Sequence, residues 1–328
     1  DPDSGDTFTY TLVAGTGDTD NAAFSIVGDQ LRISASPDFE SQSSYDIRVR
    51  TTDAGGLSTE QTFTVTINDL NEAPTDIALS NSVLADNTDT TGGVAVGNLS
   101  ATDVDAGDTF SYAVVGGADA AVFSISGNQL VITDGVLDFE TKNSYVVDVE
   151  VTDQGGAGLT FTKSFTVTVT NVNEAPTVLV LSNSNLDENV AAGTTVGNFS
   201  TTDADTGDTF TYNLVAGVGD TDNAAFTIVG DQLQINASPD FESQSSYDIR
   251  VRTTDAGGLS TEQTFTVTIN DLNEAPTDIA LSNSSIADNT DTSSGVTVGN
   301  LSATDVDAGD TFSYAVVGGA DAAVFSIS

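Results

Sequence analysis

Tyr145, Val147, Val149 and Val151 stand at every second position, with Asp148 and Glu150 between them. A period of two places the apolar set on one face of a strand and the acids on the other. The same alternation returns at Phe165, Val167 and Val169, at Tyr247, Ile249 and Val251, and at Phe265, Val267 and Ile269. Around it the chain predicts strands over Thr75–Leu79, Val94–Thr102, Thr109–Val115, Ala120–Ser126, Gln129–Thr133, Ser144–Thr152 and Thr160–Thr170. These segments are rich in Val, Thr, Phe and Tyr and are separated by Gly, Asn and Asp turns. No segment carries a helical period with capping signals. The prediction is an all-β fold, a seven-stranded Greek-key β-sandwich.

The pattern repeats. Asn-Glu-Ala-Pro ends at Pro74, Pro176 and Pro276, at intervals of 102 and 100 residues. Residues Ala35 to Pro74 are identical to Ala237 to Pro276, and the stretch from residue 76 onward recurs from Asp278. Repeats of two types therefore alternate. About 100 residues is the usual size of one domain. The expected domains are residues 1–72 and 175–274, of one type, and 73–174 and 275–328, of the other. The first begins at a point equivalent to Asp103 and the fourth stops halfway, at Ser328. The chain is expected to be a window on a longer array, with both end fragments needing neighbours to fold.

Charge narrows the chemistry. The 328 residues carry 49 acidic and 7 basic side chains, a formal net charge of −42, with no His, Cys, Met or Trp. Seven dispersed cations make no basic face for nucleic acid or for an anionic membrane. There is no run of about 18 apolar residues to insert into a bilayer, and no signal peptide is visible. Thiolate and imidazole nucleophiles, zinc sites and disulfides are excluded by composition. A hydrophobic content of 38% is nevertheless that of a globular chain.

The acids recur at fixed loop positions. Asp-x-Asp pairs stand at Asp1/Asp3, Asp103/Asp105, Asp203/Asp205 and Asp305/Asp307. Asp-Phe-Glu follows at Asp38/Glu40, Asp138/Glu140 and Asp240/Glu242, and an Asp precedes a Gly by two residues at Asp53, Asp153 and Asp255. Each repeat closes on a linker: Asp69-Leu-Asn71-Glu72, Asn171-Val-Asn173-Glu174 and Asp271-Leu-Asn273-Glu274. A further acid follows the first strand, as Asp86, Glu188 and Asp288. Calcium takes six to eight oxygen ligands from such groups. Residues i and i+2 of extended backbone point to one side, so each pair can face one ion. Carboxylates about 4 Å apart repel by about 1 kcal/mol per pair even in water, so a chain that repeats such clusters is best explained by a bound cation.

Blander readings are available for single motifs. Asp103 to Asp108 taken alone reads as a solvated Asp/Gly turn, and Asp18/Asp20 with Asp220/Asp222 as solvated loops or an extra ion site. An EF-hand is excluded by the missing twelfth-position Glu and flanking helices. The Gly-Gly-x-Gly-x-Asp nonapeptide of calcium β-helices is absent. A glycosidase carboxylate pair fits poorly with identical pairs recurring at domain ends. Asn98, Asn198, Asn236, Asn283 and Asn300 fit the Asn-x-Ser/Thr sequon, as a Ser/Thr-rich chain does by chance. Arg48, Arg50, Arg250 and Arg252 read as strand-surface partners for nearby acids.

Taken together, the motifs resemble those of bacterial members of the cadherin superfamily, whose extracellular repeats are immunoglobulin-like sandwiches strung end to end with calcium between them. Asp138-Phe-Glu140 resembles the family's Asp-x-Glu, Asp103-Val-Asp105 its Asp-x-Asp, Asp153-Gln-Gly155 its Asp-x-Gly, and Glu188-Asn189 its Glu before Asn. The resemblance implies three calcium junctions. The first uses Asp38, Glu40, Asp69, Asn71 and Glu72 with Asp103, Asp105 and Asp153. The second uses Asp86, Asp138, Glu140, Asn171, Asn173 and Glu174 with Asp203, Asp205 and Asp255. The third uses Glu188, Asp240, Glu242, Asp271, Asn273 and Glu274 with Asp305 and Asp307. The linker is one residue shorter than the family's, Asn171 replaces its Asp, and Asp86 and Asp288 replace its Glu. One to three ions per junction are expected, fewest or weakest at the middle one.

The function implied is non-enzymatic: a calcium-stiffened spacer or adhesion segment of a long, secreted bacterial surface protein. Its partners would be neighbouring repeats of the same chain, with like chains or cell-surface polysaccharide as further candidates. A subunit of an extracellular filament or surface layer, and a polysaccharide-binding or homophilic module, are the alternatives. The lack of Trp leaves little for a sugar to stack on. Halophilic origin would instead spread acids over strand faces, where this chain has Thr and Ser.

Overall fold

The computed structural model describes residues 5, 7–154 and 158–328, so Asp1, Asp3 and Gly155 lie outside the described residues. The chain divides into two compact bodies, Asp1–Val172 and Asn173–Ser328. Among the described residues, all regular structure is strand, apart from single turns of 3-10 helix.

The second repeat, within the first body, is a complete two-sheet sandwich. One sheet runs Phe123–Ser126, Gln129–Ile132, Val94–Thr102, Asp76–Leu79, antiparallel throughout. The other runs Val83–Ala85, Thr160–Thr170, Ser144–Asp153, Phe110–Gly116. Its first pair is parallel, and the rest are antiparallel. The alternation in the sequence is the core: Tyr145, Val147, Val149, Val151, Val167 and Val169 are all buried against Ile77, Leu130 and Ile132 from the opposite sheet. The Tyr145 ring meets Phe123 edge-on. The third repeat, in the second body, is built the same way around Leu233, Ile235, Ile249, Val251, Val267 and Ile269.

Two expectations need correcting. Val83–Ala85 is an unexpected strand, so the chain enters on one sheet, crosses at Ser80-Asn81-Ser82 and continues on the other. Asn81 fixes the crossing by donating Nδ2 to Val83 O at 2.8 Å and to Val96 O at 2.9 Å. Gly97 is required beneath it, because a Cβ there would lie 2.7 Å from Asn81 O. The segment Ala120–Ser126 begins not as strand but as a 3-10 turn over Ala120–Val122, and the strand starts at Phe123. Asp119 shapes that turn: its carboxylate accepts Val146 N at 2.7 Å and pairs with Lys142. Asp20 and Asp222 do the same in their own repeats, accepting Asp46 N and Asp248 N at 2.7 Å and the amides of Gln42 and Gln244 at 3.0 Å. They hold their turns while remaining partly exposed.

The arginines pair on strand faces as expected. Arg48 and Arg50 share Glu60, and Arg250 and Arg252 share Glu262.

In the third repeat Leu179, Leu186, Val196 and Phe199 cover the core, and Leu233 and Ile235 are 0% and 2% exposed. Leu233→Ala is therefore expected to destabilise this repeat by about 2–5 kcal/mol, as for other buried leucines, measured by hydrogen exchange of its strand amides.

Candidate metal centre

The acid that follows the first strand is delivered by the unexpected short strand. Asp86 N donates to Thr170 O at 2.9 Å, extending the parallel pairing, and its side chain is only 5% exposed. Its Oδ1 accepts Asn87 N at 2.8 Å and Phe139 N at 2.9 Å, which brings the Asp-Phe-Glu segment alongside. An oxygen of Glu140 lies within 4.8 Å of one of Asp86. Glu188, 1% exposed, does more with its extra methylene: Oε2 accepts Phe241 N at 2.8 Å and Oε1 accepts Leu272 N at 2.7 Å. One carboxylate thus ties the Asp-Phe-Glu turn to the linker. The Asn after each acid adopts φ near +60°, a left-handed conformation that Asn tolerates better than most residues. Asn189 also donates Nδ2 to Glu274.

The linkers are fastened to the next repeat by a recurring pair of bonds. Asn71 Nδ2 donates to Asp153 Oδ2 at 3.0 Å, and Glu72 N to Asp105 Oδ2 at 2.8 Å. In the second body Asn173 and Glu174 make the same bonds to Asp255 at 3.0 Å and Asp205 at 2.8 Å. Glu274 N donates to Asp307 Oδ2 at 2.7 Å. Asn71, Asn173 and Asn273 also donate to the carbonyl of the following Glu, so the linker turn is held locally as well. Within each Asp-x-Asp, the second residue's N–H donates to the first carboxylate, in Asp103/Asp105, Asp203/Asp205 and Asp305/Asp307.

These bonds bring carboxylates together. Oxygens of Glu40, Asp69, Glu72 and Asp105 lie within 4.8 Å of one another, as do those of Glu188, Glu242 and Glu274. Asp103 and Asp153 are joined by Asp108, and Asp203 and Asp255 by Asp208. Asp108 and Asp208 are absent from the ligand sets expected above. The recurrence of Gly-Asp-Thr-Phe in all four repeats was the signal for them. Other acids also bond locally. Asp38, Asp138 and Asp240 cap their own turns, accepting the N–H and hydroxyl of Ser41, Thr141 and Ser243 at 2.8–3.1 Å. Asn171 lies exposed after the strand Thr160–Thr170.

Crowding raises several of these carboxyls. Partial burial, then the charges of Glu40, Asp105 and Asp69, raises Glu72 above its usual value. Burial followed by Asp105, Asp103 and Asp153 raises Asp108, and burial followed by Asp205 and Asp203 raises Asp208. Asp271 is raised by burial and then by Asp307 and Glu188. Buried oxygens of Asp103, Asp108, Asp153, Asp203, Asp208, Glu274 and Asp305 have no hydrogen-bond partner. Every donor at these boundaries is oxygen, with no imidazole or thiolate in the chain. That donor set fits a hard cation such as calcium.

Comparison with known proteins agrees. The cadherin-domain model matches residues 87–170 and 182–270, more than half of the chain. The chain belongs to the cadherin family. It is similar to the Cadherin EGF LAG seven-pass G-type receptor 3 of Rattus norvegicus, 29% identical over 323 residues, covering 94% of this chain and 10% of the receptor. It thus spans about a tenth of that relative's length. Among solved structures, the protocadherin GammaB4 extracellular domain is similar with a TM-score of 0.62 and 21% identity, covering 92% of this chain and 51% of that one. Mouse cadherin-23 EC22-24 is similar with a TM-score of 0.56 and 21% identity, covering 83% and 89%. These likenesses bear out the tandem β-sandwich fold. Cadherin domains are extracellular adhesion modules, and among the described residues no helix is long and apolar enough to cross a membrane.

The raised carboxylates give a sign for pH dependence without cation. A carboxyl whose folded pKa lies above its unfolded value binds more protons folded than unfolded, so stability falls as pH rises through that window. Groups lowered by their bonds, such as Glu60 and Glu262, lose their contribution only below the ordinary value of 4.5. In chelator, the melting temperature of this chain is therefore expected to rise as pH is lowered from neutral toward the ordinary carboxylate range, measured by scanning calorimetry. With calcium the trend should reverse, because protons then compete with the ion.

Proposed function

We propose that this cadherin chain is a calcium-stiffened spacer and adhesion segment of a long, secreted bacterial surface protein. The observation that carries the reading is the set of buried, unpartnered carboxylate oxygens at the linkers, beside linker Asn and Glu residues already hydrogen-bonded to the following repeat. Glu40, Asp69, Glu72 and Asp105 would hold calcium at the first boundary, and Glu188, Glu242 and Glu274 at the third. Asp38, Asp138 and Asp240 would join the neighbouring glutamates as ligands while capping their own turns. Asp86, Glu140 and Asn171 of the first body, and Asn173, Glu174, Asp203, Asp205 and Asp255 of the second, would each contribute ligands. Asn273, Asp305 and Asp307 would complete the third, with Asp271. Without cation the carboxylates repel and the linkers hinge; with calcium, in the millimolar range of extracellular modules, they lock. Near-identical alternating repeats support the spacer role and the bacterial surface setting, because length then matters more than a unique site.

Polysaccharide binding finds less support: Tyr145 is 2% exposed, and Tyr45 and Tyr247 pack edge-on against Phe24 and Phe226.

Calcium titration followed by small-angle scattering and thermal melting tests the main reading. Calcium should lengthen the particle and raise its melting temperature; a chain unchanged in both by chelator is not a calcium-stiffened rod. Asp103→Asn with Asp105→Asn should loosen only the first boundary.

A further inference from the structure

The two repeat types carry opposite charge on one strand face. In the strands Ser44–Thr52 and Ser246–Thr254, the buried Ile47, Ile249 and Val251 alternate with Arg48, Arg50, Arg250 and Arg252. A period of two puts these arginines on the outer face of the sheet. The second repeat has Asp148 and Glu150 at the same two positions, between the buried Val147, Val149 and Val151. The facing strand changes with them: Arg252 lies opposite Glu262, whereas Glu150 lies opposite Thr162. Arg250 and Arg252 with Glu262 leave one positive charge, and Asp148 with Glu150 leaves two negative ones. Asp248, the next outward acid of the third repeat, makes its wider face neutral, still two charges above that of the second.

On each face one side chain is free for a partner. Arg48 and Arg250 fasten a loop of their own repeat, donating Nη1 to Thr16 O at 2.9 Å and to Val218 O at 3.0 Å. Arg50 and Arg252 bond only to their glutamates among the described residues, and their side chains are 44% and 45% exposed. Asp148 accepts the Ser164 hydroxyl. Glu150 is half-buried without an ion-pair partner among the described residues, flanked by the uncharged Ala113 and Thr162.

We propose that the outer face of the second repeat, at Glu150, docks on the Arg50 or Arg252 face of a second copy of this chain, so that copies associate offset by one repeat. The alternation sets the partner and the offset. Like repeats face to face would oppose Arg to Arg and Glu to Glu, whereas unlike repeats bring Arg50 or Arg252 onto Glu150. Complementary charge of this kind selects register more than it adds affinity. One exposed ion pair is weak, but an offset that matches one unlike pair of repeats matches others along the array, and linked contacts reinforce one another. The net charge of −42 opposes any close approach of two copies. The docking therefore rests on the calcium reading above, in which ions at the boundaries lower that charge, although neither face holds a proposed ion ligand.

The test uses the full 328-residue chain in calcium chloride, followed by sedimentation velocity over a range of protein concentrations. The parent should show a reversible, faster-sedimenting species that grows with concentration. Glu150→Arg should lose that species, even though it reduces the net negative charge and so relieves the general repulsion. Arg50→Glu with Arg252→Glu should lose it too, and leaves in place the arginines that hold the loops. An equimolar mixture of the two variants should regain it, because the reversed charges are again complementary, and recovery shows both variants to be folded. The milder Glu150→Gln should weaken the association. Association unmoved by these variants overturns the proposal, as does a mixture that stays monomeric although both variants melt like the parent. A parent that takes up no calcium defeats the calcium reading and this one with it, whereas a parent that takes up calcium and stays monomeric defeats this inference alone.

Discussion

At the first and third repeat boundaries, carboxylates are held within 4.8 Å of one another, partly withdrawn from water, with oxygens that no donor among the described residues reaches. Like charges repel most strongly where solvent is scarce, so these clusters oppose the fold that gathers them. The linker bonds that draw them together, from Asn71 and Glu72 or Asn173 and Glu174 to the Asp residues of the following repeat, act against that repulsion. The balance between the two is what an oxygen-seeking cation would tip, and the calcium reading of this cadherin chain depends on it.

The chain's own cations are placed elsewhere. Arg48, Arg50, Arg250 and Arg252 are bound to glutamates on strand faces, Lys163 to Asp76, and Lys142 to the Asp119 turn. These pairs brace the sandwich, although at partly exposed sites each adds little stability. None of these pairs involves a boundary carboxylate. The formal charge of −42 is therefore of two kinds: solvated acids that keep a long chain soluble, and clustered acids that call for an external ion.

Glu188 and Asp86 show how one methylene changes the wiring. Both sit after the short parallel strand and both bind the N–H of the phenylalanine in Asp-Phe-Glu. Glu188 additionally reaches Leu272 N in the linker, so the turn and the linker share one buried carboxylate. Asp86 places its second bond on the adjacent Asn87 N instead. The alternation of repeat types along the chain is thus also an alternation in how the linker is anchored.

The long strands were legible because alternation over four or more residues is unmistakable, and tandem identity made the domain spacing plain. Val83–Ala85 was not, since three residues are too few to show a period, and its parallel partner lies over eighty residues away. Asp38 was expected to point with Glu40 because i and i+2 align in extended chain. The two side chains do meet, although the backbone turns there and the Asp38 carboxylate also accepts Ser41 N. Asp108 was overlooked for the opposite reason: it is distant from Asp153 in sequence and adjacent in space only because the strands Phe110–Gly116 and Ser144–Asp153 pair. The sequence by itself determined the fold class, the repeat architecture and the kind of donor at the boundaries, since these follow from local period and side-chain chemistry. Which carboxylates share a cluster, and which oxygens are left without a partner, was decided by strand crossing and pairing, because proximity across a sheet is set by register and not by spacing along the chain.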